Sequence, residues 1–97
     1  YRAYVFVRPE ALASGWDRNR VIAEIKALGV PCFVGTCPEV YLEKAFDGTG
    51  WRPMERLPVA RELGERGLAF LVQPTLTERD IDKTCEAMAT VIGMAAR

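Results

Sequence analysis

The side chains with the greatest chemical potential lie together at residues 35–41, which read Gly-Thr-Cys-Pro-Glu-Val-Tyr. This stretch directly follows an apolar run at residues 30–34, and the polar tips of Thr36, Cys37 and Tyr41 are candidates to line a cleft. Loop residues at the end of a rigid strand are favoured binding positions. A binding role for Cys37 and Tyr41 is therefore one interpretation of this stretch. A capped turn with a half-buried tyrosine is the alternative that the same residues allow.

No complete catalytic site can be assembled from the sequence. The chain has no histidine, so it has neither a nucleophile–histidine pair nor an imidazole acid or base. Gly48-Thr49-Gly50 is not followed by a helix start and a third glycine, as a phosphate-binding loop requires. A Schiff-base lysine needs a desolvated pocket, whereas the three lysines fall on predicted helices among charges or opposite apolar stripes. We predict no catalytic or cofactor-binding residue in this chain.

Two glutamates are spaced as a pair on one helical face. Glu39 and Glu43 are four residues apart, and Lys44 adjoins the second of them. Charged residues at this spacing are typical of solvated helix surfaces. We therefore predict that both carboxylates are exposed.

The cysteines favour neither a metal site nor a disulfide scaffold. Cys32 and Cys37 are separated by four residues rather than the two of zinc knuckles, and no histidine is present to complete a ligand set. Three cysteines are an odd number, which favours a reducing compartment and hence the cytoplasm. The sequence predicts no metal.

The charge balance excludes polyanionic partners. Lysine and arginine together number 13, equal to the 13 aspartate and glutamate residues, and the two signs alternate along residues 61–66. Binding to nucleic acid needs clustered positive charge. No apolar run approaches the roughly 18 residues of a membrane-spanning helix. We expect neither nucleic acid nor a membrane as a partner.

Three short apolar stretches, at residues 3–7, 30–34 and 68–72, predict strands because they are rich in aromatic and β-branched residues. A helix is predicted between the first two, with Asp17 as its N-cap and Gly29 just beyond its end. Its apolar stripe consists of Val21, Ile22, Ile25 and Leu28.

A second long helix is predicted after Thr77, which can form a capping box with Asp80. The residues predicted to face the core are Ile81, Thr84, Cys85, Met88, Val91 and Ile92. The long connection at residues 35–67 has room for a short helix from Pro58 to Leu63 that ends at Gly64, and for another at residues 39–46. Residues 47–50 predict a turn or a mobile tip. A connection of this length is often functional.

These elements predict a single α+β domain over residues 1–97, with a small three-stranded mixed or antiparallel sheet and helices on one face. The other face carries apolar strand residues and needs a partner. The first strand begins close to Tyr1, which suggests a piece of a longer polypeptide.

Four segments in fixed order carry a family resemblance: residues 29–32, 57–63, 70–77 and 80–82. Their order resembles the C-terminal part of the DegT/DnrJ/StrS family of sugar aminotransferases, which depend on pyridoxal phosphate. The resemblance covers essentially the whole chain, corresponding to roughly the last quarter of such an enzyme, its small domain. Each segment alone is weakly specific, and the ordered spacing carries the resemblance.

The resemblance implies a cytoplasmic homodimer that moves an amino group, typically from L-glutamate, onto a keto-sugar attached to a nucleotide. It also implies that the Schiff-base lysine and most pyridoxal phosphate contacts belong to a missing N-terminal large domain. The fragment alone would then be inactive. In the full enzyme it would form part of the wall of the substrate cleft. By position, residues 36–41 are similar to the stretch near the sugar, so only Cys37 and Tyr41 are carried over.

Two residues depart from the family pattern. Gln73 stands where relatives often have histidine before the proline, and Gly67 stands where a larger residue is commoner. Gln73 puts in doubt the contact that this histidine makes in the relatives. A stand-alone small-molecule-binding module and a dimerisation module, both without catalysis, are the alternative functions.

Overall fold

The computed structural model describes all 97 residues. Its strands are β1 (Arg2–Phe6), β2 (Cys32–Phe33) and β3 (Gly67–Leu71), and its helices are α1 (Arg18–Ala27), α2 (Pro58–Arg66) and α3 (Glu78–Ala95). Short 3₁₀ turns lie at Pro9–Ala11, Val40–Leu42 and Lys44–Phe46. Not one of the helices combines the length and the apolar character that crossing a bilayer requires.

The three strands form one antiparallel sheet with β3 in the centre, in the order β1-β3-β2. This confirms the predicted α+β class and selects the antiparallel arrangement. Strand β2 is shorter than predicted. Pro31 has no N–H to donate to a ladder, and Gly35 turns the chain away with a φ of +94°.

The core lies between the sheet and helices α1 and α3. Val5 and Leu68 pair across the strands, as do Phe70 and Cys32, and all four point toward the helices. The buried cluster consists of Val7, Val21, Ile22, Ile25, Val30, Cys32, Leu68, Phe70, Ala87, Val91 and Ala95. Burial of these side chains supplies most of the driving force for folding.

Helix α1 begins and ends as its capping residues predict. The Asp17 carboxylate accepts a hydrogen bond of 2.7 Å from the Arg20 N–H, and Gly29 has a φ of +84° just past the helix end. The predicted stripe is wrong at one position: Leu28 is 45% exposed. Leu28 is the C-cap, where the chain already leaves the helix and turns its side chain outward.

Helix α3 starts with the predicted capping box between Thr77 and Asp80. Its buried residues are small, since Ala87, Val91 and Ala95 repeat every four residues against the core. The predicted core face is wrong at Cys85, whose side chain is exposed, and also at Ile81 and Ile92, which are 52% and 37% exposed. Two residues correspond to about 200° of helix rotation, so Cys85 lies on the far side from Ala87.

The opposite face of the sheet has no helix layer over it. Tyr4, Phe6, Phe33 and Leu71 project from this open face and are each more than a third exposed. The molecule is correspondingly thin, with extents of 48 × 37 × 17 Å. The large apolar side chains of the open face are therefore partly exposed to solvent, while the small Ala69 between Tyr4 and Phe33 is buried.

Helix α2 lies at the margin of the open face and buries none of its residues. The prediction that it ends at Gly64 is wrong, since it continues to Arg66. Gly64 is required for close contact instead, because a Cβ there would lie 2.5 Å from the Pro38 Cγ. The helix predicted at residues 39–46 is replaced by the two 3₁₀ turns.

Candidate functional site

The connection between β2 and α2 is irregular in backbone but dense in side-chain hydrogen bonds. It leaves the sheet at Gly35, where a Cβ would lie 2.9 Å from the Tyr4 ring. Arginines 52 and 56 near its end bind residues near its beginning. We call residues 37–57 the arginine-clasped segment.

Glu39 is the centre of the clasp and the one charged residue in the molecule that is buried, at 9% exposure. The Arg56 guanidinium donates to both carboxylate oxygens of Glu39, with an Nε–Oε1 distance of 2.9 Å. The Tyr41 hydroxyl donates to Glu39 Oε1 at 2.7 Å and accepts the Leu57 N–H at 2.8 Å. The predicted exposure of Glu39 is therefore wrong: a partner 17 residues away compensates its burial.

The clasp holds Glu39 in its charged form. The Arg56 hydrogen bonds, followed by that from Tyr41, lower the pKa of Glu39 from 4.5 to about 2. The same contact raises the pKa of Arg56. The pKa in the folded chain is below the ordinary value. The carboxylate therefore makes its full contribution to the stability of the folded state above about pH 4.5, and this contribution is lost as the pH falls toward 2.

A second arginine closes the rest of the segment. Arg52 donates to the Tyr41 carbonyl at 2.7 Å, to the Glu43 carbonyl at 3.1 Å and to Asp47 Oδ1 at 2.6 Å. The guanidinium thus supplies a donor to the Tyr41 carbonyl, and it adds a second donor at the Glu43 carbonyl, which also accepts the Phe46 N–H. The segment is held by charge-assisted hydrogen bonds in place of regular secondary structure.

Cys37 and Tyr41, the two predicted substrate-binding residues, both lie in this segment, but each already has an internal partner. The Cys37 thiol donates to Glu43 Oε1 at 3.2 Å, and this contact is the main cause that raises the pKa of Cys37. The pKa of Tyr41 is also raised, first by burial and then by its hydrogen bond to Glu39. A thiol and a phenol held protonated suit binding and positioning better than nucleophilic attack.

A groove of about 310 Å³ runs between α2 and the open sheet face. Its lining residues are Tyr4, Phe6, Val34, Thr36, Pro38, Ala60, Leu63, Gly64 and Gly67. The Tyr4 hydroxyl lies 3.5 Å from the Thr36 hydroxyl, and this contact lowers the pKa of Tyr4. Of the three predicted cleft residues only Thr36 reaches this groove.

Sequence reasoning missed Tyr4 as a groove residue, although a signal was present. Val5 and Val7 belong to the core side, so strand alternation places Tyr4 and Phe6 on the opposite face. The apolar character of the whole run at residues 3–7 hid that alternation.

A second cavity, of about 290 Å³, lies beside β1 on the helix-covered side. Eleven of its 12 lining residues are hydrophobic, and Arg8 is the exception. It therefore offers apolar contact and no group for proton transfer.

The residues present do not fit a pyridoxal phosphate site. Lys26, Lys44 and Lys83 are all exposed, and none lines the groove or the apolar cavity. A Schiff-base lysine requires a desolvated pocket. No three histidine, cysteine, aspartate or glutamate side chains are grouped to hold a metal ion. The chain presents a partly apolar groove and a segment held by arginine hydrogen bonds.

Comparison with solved structures gives a match over nearly the whole chain. No protein-family model matches the chain, and no curated protein matches it. A solved structure, the X-ray structure of the aminotransferase from Psychrobacter cryohalolentis, is similar with 55% sequence identity and a TM-score of 0.89. The match covers 95% of this chain but only 23% of that chain.

The chain thus spans less than a quarter of the length of the aminotransferase that it resembles. Over that quarter it shares the three-stranded antiparallel sheet and the helices of an α+β small domain. The likeness supports a domain of an aminotransferase.

Proposed function

We propose that this chain is the C-terminal small domain of a pyridoxal phosphate-dependent aminotransferase and that the groups performing catalysis lie in a separate large domain. The observation that carries the proposal is the 55%-identical match over 95% of the chain, which takes up only 23% of an aminotransferase. Identity at this level over a whole domain favours a shared role within a shared larger protein.

The finer proposal concerns the substrate. The four segments at residues 29–32, 57–63, 70–77 and 80–82 support a DegT/DnrJ/StrS enzyme that transfers an amino group from L-glutamate to a nucleotide-linked keto-sugar. A cytoplasmic homodimer is part of the same proposal. Pyridoxal phosphate would supply the chemistry of amino transfer, held by a lysine outside these residues, because the three lysines here are exposed.

The residues of this chain would act by forming one wall of the substrate cleft. Glu39 and Arg56 fix the arginine-clasped segment, so Cys37 and Tyr41 meet the substrate from a preorganised backbone. We propose substrate contact for both residues, while the Tyr41 hydroxyl keeps its hydrogen bonds to Glu39 and to the Leu57 N–H. Their internal hydrogen bonds make them positioning groups and not proton donors in the reaction.

A domain exchange tests this function. In the Psychrobacter aminotransferase, the matching 23% is replaced by this chain, and amino transfer is measured with that enzyme's own substrates. We expect the chimera to bind pyridoxal phosphate and to retain activity, while the isolated chain does neither. A folded chimera without activity contradicts the proposal. So does an upstream reading frame that encodes no lysine-bearing cofactor domain.

The groove favours one alternative, a stand-alone module that binds a small molecule between Tyr4, Thr36 and α2. Such a module would show a rise in Tm of the isolated chain on adding a metabolite, since a ligand that binds only the folded state stabilises it. The aminotransferase proposal expects no such rise without the large domain.

A further inference from the structure

The arginine-clasped segment is polar inside and apolar outside. Glu39 is buried at its centre, whereas Trp51 is 78% exposed and Met54 is fully exposed. Val40 and Leu42 on its first 3₁₀ turn are also exposed. A loop surrounded by water has the reverse arrangement, because burying a charge is costly and exposing large apolar side chains gains nothing.

The exposed apolar residues continue from this segment to the open sheet face. Leu57 ends the segment, and α2 follows with Val59 and Leu63 exposed. Leu63 lines the groove together with Tyr4 and Phe6 of β1. We call the open sheet face, the outward side chains of α2 and those of the arginine-clasped segment the outer apolar surface.

The surface area of the molecule is too large for an isolated domain. Its accessible surface is 7117 Å², whereas a folded monomer of this size has about 5,500 Å². The radius of gyration is 16.0 Å, compared with about 12.5 Å for a compact chain of this length. The excess of about 1,600 Å² is roughly twice what each partner contributes to a standard protein interface.

The size of this excess surface area indicates how large the covering partner must be. A two-fold contact of standard size with a second copy would remove only about half of the excess. Under the function proposed above, more than three times the length of this chain lies outside it, since the match takes up 23% of the aminotransferase. A body of that size is large enough to cover the sheet face and the arginine-clasped segment together.

We infer that the outer apolar surface is the docking face for the remaining polypeptide of the aminotransferase, and that the helix-covered side carrying α1 and α3 faces away from it. The inference rests on the proposed function. The partner surface is apolar and aromatic in character, because Trp51, Met54 and Val59 on this face are each at least 65% exposed. The clasp of Glu39 with Arg56 holds these side chains outward before docking, which reduces the entropy lost on contact.

Two methionines provide a reporter and its matched control. Met54 belongs to the outer apolar surface, and Met94 lies on α3 with 52% exposure. Hydrogen peroxide oxidises exposed methionine to the sulfoxide, and mass spectrometry reads each site separately. The rates are compared in the isolated chain, at two protein concentrations, and in the chimera with the Psychrobacter aminotransferase.

We expect Met54 oxidation to slow by roughly tenfold or more in the chimera, while the Met94 rate changes by less than about twofold. In the isolated chain both rates should be independent of protein concentration. Equal protection of the two methionines, or protection of Met94 alone, overturns the assignment of the face. Protection of Met54 that grows with concentration in the isolated chain overturns the choice of partner and indicates a second copy.

The activity of the chimera separates this inference from the function on which it depends. An active chimera with fast Met54 oxidation overturns the docking face and leaves the proposed function standing. A chimera that protects Met54 but does not transfer amino groups supports the docking face and contradicts the proposed function.

Discussion

The two sides of this molecule are held together by different forces. On one side, α1 and α3 pack an apolar cluster against the sheet, and this cluster contains 11 of the 14 buried residues. On the other side, residues 37–57 fold around one buried carboxylate and two arginines. The first side encloses a contiguous apolar core within this chain. The second exposes its apolar side chains and is consistent with a surface completed by a neighbour.

The largest effect should come from the apolar side. Leu68 is 1% exposed on β3, the central strand, and Leu68→Ala removes packing from both the sheet and the helices. We expect a loss of about 2–5 kcal/mol in the free energy of unfolding, because a cavity remains where the side chain was. Urea denaturation measures it. Val59→Ala, at an exposed position of α2, is the control and should change stability by less than about 0.5 kcal/mol.

The hydrogen bonds between Arg56 and Glu39 should break at low pH, and the resulting unfolding should be confined to the arginine-clasped segment. Because Arg56 holds the pKa of Glu39 at about 2, the segment should stay closed down to about pH 4.5 and open progressively as the pH approaches 2. The Leu57 N–H, which donates to the Tyr41 hydroxyl, should then lose protection from hydrogen exchange before Val91 in α3 does.

Glu39→Gln sharpens this test, because an amide of the same shape does not titrate. Its Leu57 N–H should exchange faster at neutral pH, and the change in its protection between pH 4.5 and 2 should largely disappear. Equal loss of protection at Leu57 and Val91 would show that the two sides unfold as one unit. That result would contradict the claim that they open separately.

Removing the capping box of α3 should destabilise the apolar side by a smaller amount. Thr77 accepts the Asp80 N–H, and Thr77→Ala leaves that donor without its partner. We expect a cost of about 1 kcal/mol, measured by urea denaturation, with Leu57 protection unchanged. A change at Leu57 as large as that in α3 would contradict the separation of the two sides.

The smallest expected effect is a gain in stability. Gly93 lies inside α3, and a Cβ at this position would meet no atom within 4 Å. Gly93→Ala should raise the free energy of unfolding by about 0.5–1 kcal/mol, since alanine restricts the unfolded chain and favours the helix. A decrease in stability would mean that the outer side of α3 is more crowded than the structure shows.

The elements predictable from sequence are those that local chemistry determines. Asp17, Gly29 and the Thr77–Asp80 box signalled the ends of α1 and α3, because each acts on backbone groups within a few residues. The antiparallel sheet followed from three short apolar runs. These signals need no knowledge of distant parts of the chain.

The wrong predictions concern contacts between residues far apart in sequence. Glu39 was predicted to be exposed because nothing nearby marks Arg56 as its partner. Gly64 resembled a helix end, although its role is contact with Pro38. The core position of Cys85 failed because the small residues Ala87 and Ala95 set which side of α3 packs. The candidate site depends on such contacts, so the stretch containing Cys37 and Tyr41 was identified but its internal partners were not.

Hydrogen exchange compared between the isolated chain and the chimera tests most directly whether one side is self-sufficient and the other is completed by the aminotransferase. Protection of α1 and α3 should be the same in both, while protection of β1 and residues 37–57 should rise only in the chimera. If residues 37–57 and the open sheet face are as protected in the isolated chain as in the chimera, the account is wrong.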